Sequence, residues 1–183
     1  GEAGGAVKYA VAAAVAWFLA VANVSALSYI SVLGVTPDFV LILACCWAVI
    51  RSEEEALVVV PLCGLMRDLL GSDPAGTALL GFAPIVLLAA LARTQVIDSD
   101  FPGAIAVVAG GTLIFQIVQT SVLGATGQNI DLWQVIFSVM IPAVIVNALF
   151  APIVYLPVRW LSPPRALAMQ GGRRLTATLT SKS

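Results

Sequence analysis

The stretch Gly34–Leu80, GVTPDFVLILACCWAVIRSEEEALVVVPLCGLMRDLLGSDPAGTALL, decides how the rest of the chain is read. An apolar run from Phe39 to Ile50 opens at Pro37-Asp38 and stops at Arg51-Ser52-Glu53-Glu54-Glu55. A second run, Ala56 to Met66, stops at Arg67-Asp68. Proline suits the first turn of a helix, and Asp38 favours the positive end of the helix dipole. Glu53 to Glu55 support the N-terminus of the next helix in the same way. Crossing ~30 Å of hydrocarbon takes about 20 helical residues, so both runs are too short to span with purely apolar residues. They read as a short helical hairpin; the alternative is a pair of half-spanning segments buried within a bundle.

Outward from this stretch the whole chain is apolar. It has 183 residues, enough for one domain, of which 60% are hydrophobic and 10% charged. Its mean hydropathy is +1.01. Soluble domains carry roughly 25% charged residues. A soluble fold of this composition would expose large apolar patches to water, a penalty that lipid removes. Histidine is absent, which excludes imidazole bases, histidine metal ligands and a serine–histidine hydrolase. Cys45, Cys46 and Cys63 all fall inside apolar runs and read as small apolar filler.

The pattern predicts an all-α integral membrane protein, a six-helix transmembrane bundle whose second and third helices form the short hairpin. The spans are about 9–27, 37–51, 54–70, 74–92, 101–126 and 132–158. The first is broken only by Asn23 and Ser25; it is too long for a signal-peptide core, and no clear cleavage site follows. The fifth carries Gly110-Gly111, Gln116 and Gln119, and the sixth carries Pro142, Pro152 and Pro157. Residues 163–183 read as a basic, disordered tail. With the N-terminus inside, the inner segments hold Lys8, Arg51, Arg93, Arg159, Arg165, Arg173, Arg174 and Lys182, and the outer loops hold none. Lysine and arginine bias sets orientation, so both ends are expected in the cytoplasm. Arg67 then lies at membrane depth, toward the outer side.

A charge at the bilayer centre costs about 2.5–3.5 kcal/mol on insertion scales, so Arg67 and Asp68 are candidate site residues. Depths in an antiparallel hairpin mirror about its turn, which puts Asp38 level with Arg67. Asp68 points about 100° away from Arg67 and shares a face with Gly64 one turn earlier. The structural reading is a charge pair that fixes how the hairpin packs. The functional reading is a substrate or proton site.

The opening stretch resembles the MreD family of rod-shape-determining membrane proteins. The shared pattern is Pro37-Asp38 opening an apolar helix, the charged turn Arg51 to Glu55, and Gly64-x-x-x-Asp68-Leu69-Leu70. A turn from Gly71 to Gly76 then leads into the next helix. Arg67 departs from the family pattern, which is apolar there. The resemblance implies a multi-pass protein of the bacterial cytoplasmic membrane that acts as a non-catalytic scaffold of cell-wall elongation. Its implied partner is the bitopic protein MreC, and through it a class B penicillin-binding protein and RodA, with the MreB filament beneath the membrane. No cofactor, metal or nucleic acid is implied.

The family fold is similar to the substrate-binding S component of energy-coupling-factor transporters, which implies the alternative of a solute- or vitamin-binding membrane protein. Asp38, Arg67, Asp68, Asn23 and Gln119 could line its cavity. An aspartyl enzyme using Asp38 and Asp68 is disfavoured, because Arg67 beside them holds both ionised. Two surfaces suit a partner's helix: the alanine-rich first span, and the fifth span with Gly110-Gly111, Gln116 and Gln119. The same small residues could instead pack the interior. The basic tail attracts anionic lipid headgroups.

Overall fold

Asp38 starts the first described helix by closing its own cap: its Oδ1 accepts from the Leu41 amide at 3.1 Å. The computed structural model describes residues 14, 34–71, 74–94, 100–127 and 131–160. Apart from Ala14, which is helical, the expected span 9–27 with Asn23 lies outside the described residues, as does the tail 163–183. The described residues form five helices and no strand. These are α1 (Phe39–Ile50), α2 (Glu53–Leu70), α3 (Thr77–Thr94), α4 (Asp100–Ala125) and α5 (Leu132–Trp160).

Helix α1 is the axis of the bundle. Every residue from Val40 to Ile50 is buried, and the helix packs against α2, α3, α4 and α5. Its continuous apolar run has no polar face because it needs none. Its 12 residues reach only about 18 Å. Ser52 caps α2, accepting from the Glu55 amide, and Glu53, Glu54 and Glu55 occupy the first turn at the positive end of the dipole.

Among the described residues, two helices are long and apolar enough to cross a membrane, Phe101–Ala125 and Leu132–Trp160. On α5, Trp133, Phe137, Ile141, Ile145, Leu149, Ile153 and Trp160 are exposed. The first six recur every fourth residue, drawing one apolar ridge along the helix. Water penalises a ridge of that length, whereas acyl chains accept it.

Two local expectations need correction. Pro37 lies outside the helix, ahead of the Asp38 cap, so the second expected span begins at Phe39. Proline restricts the residue before it, and the Asp side chain takes the capping position. Pro74 likewise precedes α3, which starts at Thr77 after a turn in which Gly76 has φ +91°, a conformation few other residues adopt. Of the two readings of Gly110-Gly111, the contacts support packing within the bundle's own interior. A Cβ on Gly111 would lie 2.9 Å from Cys45 Sγ, and one on Gly110 would meet Leu88. The glycines let α4 approach α1 and α3 closely, as small residues do in lipid.

Helix α5 carries a π-helical turn, Ile136–Met140, just before Pro142. A proline ring clashes with the carbonyl four residues earlier, here Ser138, and widening that turn relieves the clash.

Candidate functional site

Arg67, on the last turn of α2, is clasped from two sides. It forms an ion pair with Asp38 at the start of α1, and its guanidinium carbon lies 4.3 Å from the centre of the Phe115 ring of α4. The two side chains are 21% and 13% exposed, so the pair is largely desolvated. A cation over an aromatic face gains more when desolvated. The contact follows from the hairpin: residues equidistant from the Arg51–Glu55 turn come level.

Asp38 has a second task. Its backbone amide donates to Asn147 Oδ1 on α5 at 2.8 Å. Asn147 Nδ2 donates to Thr112 Oγ1 on α4 at 3.1 Å, and Thr112 Oγ1 donates to the Val108 carbonyl at 2.7 Å. Asn147 and Thr112 are 3% and 1% exposed, yet both are hydrogen-bonded. Buried polar groups that are satisfied in this way specify one arrangement of the helices. Four helices therefore meet at one polar knot: α1 through Asp38, α2 through Arg67, α4 through Phe115 and Thr112, α5 through Asn147.

Asp68 belongs to a separate joint. Its Oδ1 accepts from the Ala78 amide at 2.9 Å and its Oδ2 from the Leu79 amide at 3.1 Å. It thus caps the N-terminus of α3 from the neighbouring helix, where amides lack partners and the dipole favours a negative charge. Gly64 makes this possible. A Cβ there would lie 3.1 Å from Leu79 Cα and 3.2 Å from the Ala78 carbonyl oxygen. The Gly64-x-x-x-Asp68 spacing puts a gap and a cap on one face of α2, one turn apart. Gly71 ends α2, its amide donating to the Arg67 carbonyl at 2.7 Å. Asp38 and Asp68 thus serve different joints, and no shared carboxylate dyad forms.

A cavity of about 120 Å³ adjoins the knot, lined by Val35, Thr36, Asp38, Leu41, Arg67, Thr112, Phe115, Gln116, Ala143 and Asn147. Gln116 reaches it; Gln119 and Asp68 do not line it. Among the described residues no three His, Cys, Asp or Glu side chains converge as metal ligands would. The sequence reading missed Asn147, Thr112 and Phe115. The available signal was Asn147 itself, an amide in the middle of an uncharged membrane-length run.

No curated protein and no solved structure matches this chain. The family described as rod shape-determining protein MreD matches it over residues 8–162, most of its length. Apolar helices of membrane length, together with that match, place the chain in the MreD family, whose members are membrane proteins that determine cell shape.

Proposed function

We propose that the chain is a non-catalytic scaffold of the cell-wall elongation complex in the bacterial cytoplasmic membrane. In this reading it is multi-pass, has both ends in the cytoplasm, and binds MreC. Through MreC it supports the class B penicillin-binding protein and RodA, above the MreB filament. The observation that carries the reading is how the bundle's charges are used. Asp38 and Arg67 neutralise each other, and Asp68 caps α3. Each is committed to holding helices together, as a rigid frame for partners requires. The cavity beside them, about 120 Å³, is well below the ~300–1,000 Å³ of small-molecule sites.

Co-expression with MreC and purification in mild detergent tests the scaffold. Wild-type protein retains MreC. A tryptophan substitution set on one exposed apolar face, either Leu80, Leu87 and Leu91 of α3 or Ile145, Leu149 and Ile153 of α5, releases it. Failure of the wild-type protein to retain MreC, with vitamin-induced thermal stabilisation instead, would overturn the reading in favour of solute binding.

A further inference from the structure

The polar knot lies halfway along both long helices. Asn147 stands fourteen residues after Trp133 and thirteen before Trp160, the exposed tryptophans near the two ends of α5. At 1.5 Å per residue each is about 20 Å from Asn147. Thr112, bonded to Asn147, is at the middle of Asp100–Ala125. Asp38, bonded to the same amide, shares that level. From it, α1 runs about 18 Å to Ile50 and the charged turn. The Phe39 ring meets Phe150 at 5.5 Å, and Phe101 at the start of α4 meets Tyr155 near the end of α5 at 5.3 Å. The charged turn, the start of α4 and the end of α5 therefore face the same way.

Tryptophan collects at both membrane–water interfaces. Trp133 and Trp160 are 72% and 86% exposed, and no charged residue lies between Asp131 and Arg159. Their separation along α5, about 40 Å, matches the bilayer with its headgroup regions, ~40–45 Å. The middle of α5 is then the middle of the bilayer.

We propose that the segment ahead of α1, residues 34–38, and the Asp38–Arg67 pair lie near the bilayer mid-plane, on the floor of a water-filled cavity. This cavity opens toward the face where α4 ends and α5 begins, and it admits water and small neutral polar solutes. The proposal rests on the membrane reading of the family. Non-helical backbone at membrane depth is tolerated only when buried in protein or lining water. Val35 and Thr36 are non-helical and line the cavity, and Thr36 is exposed. Asp38, Arg67, Thr112, Gln116 and Asn147 supply its polar wall. The volume of about 120 Å³ is ample for ordered water, which needs at least ~10–15 Å³ and several polar partners. Asp38 and Arg67 cancel in charge, so the wall favours neutral polar occupants over free ions. The short second and third helices are thereby explained: their outer turns stop near mid-depth, and Arg67 lies deeper than the outer side. Arg51 and Arg159 stay on one face, so the charge partition is kept.

Cysteine accessibility in proteoliposomes tests this, using the full chain with Thr36→Cys, Gln116→Cys or Leu149→Cys. The native cysteines are buried, and wild-type protein sets the background. A small hydrophilic methanethiosulfonate should modify the first two at least roughly tenfold faster than Leu149→Cys, because a thiol in apolar surroundings ionises poorly. If both are as slow as Leu149→Cys, the cavity is dry and the proposal is overturned. If Leu149→Cys is as fast as they are, α5 does not face lipid and the membrane reading itself fails. Hydrogen exchange of wild-type protein in nanodiscs needs no variant. The Thr36 amide should exchange readily while Val146 to Leu149 stay protected; equal protection would again overturn the proposal.

Discussion

The two ends of α2 use charge in opposite ways. At its N-terminus Glu53 and Glu54 are exposed, acting through the helix dipole, and Arg51 and Glu55 stand 3.7 Å apart across the turn. At its C-terminus Arg67 is paired with Asp38 and stacked on Phe115, while Asp68 holds two amides of α3. The first set is local: Glu53 and Glu54 act on one helix from solvent, and the Arg51–Glu55 pair, with side chains 11% and 20% exposed, stays within a single turn of chain. The second joins five helices that are far apart in the chain. Similar residues therefore carry very different weight, set by the elements they connect rather than by their number.

That contrast can be broken at either end. Arg67→Met should be the most damaging change, because it leaves the Asp38 charge without its partner. A loss of about 3 kcal/mol is expected, read as a lowered unfolding midpoint in detergent. Gly64→Val comes next, at about 2 kcal/mol, since its side chain meets the backbone of Ala78 and Leu79, which cannot yield. An unchanged melting temperature for Gly64→Val would show that α2 and α3 are not in close contact. Asp68→Ala should cost about 1 kcal/mol through the lost cap, with Asp68→Asn milder. Protection of the Ala78 and Leu79 amides against hydrogen exchange should fall with it. Glu54→Gln should change stability by less than about 0.5 kcal/mol. A loss there as large as that of Asp68→Ala would erase the distinction between the two ends.

Much of this contrast was legible in the sequence because it is local or mirrored. Pro37-Asp38 and Ser52 to Glu55 announce helix starts, and symmetry about the Arg51–Glu55 turn brings Asp38 level with Arg67. The spacing of Gly64 and Asp68 shows a shared face. What that face meets depends on how α3 returns, and no periodicity states that. Asn147, Thr112 and Phe115 come from helices far along the chain, so their convergence depends on packing. Gly110-Gly111 illustrates the same limit: small residues permit close approach, but only the fold chooses between a partner and α1. The π-helical turn before Pro142 was hidden because a proline in a membrane helix can be absorbed by a bend or by a wider turn.

The central claim is that the interior charges build the frame together. A double-mutant cycle on Asp38→Asn and Arg67→Met, read as unfolding free energy in detergent, tests it most directly. Asparagine keeps the cap on α1, so the cycle isolates the charge pair. The account predicts that the double variant recovers about 2 kcal/mol relative to the sum of the single losses, because neither charge is left alone. Simple additivity of the two losses would contradict it.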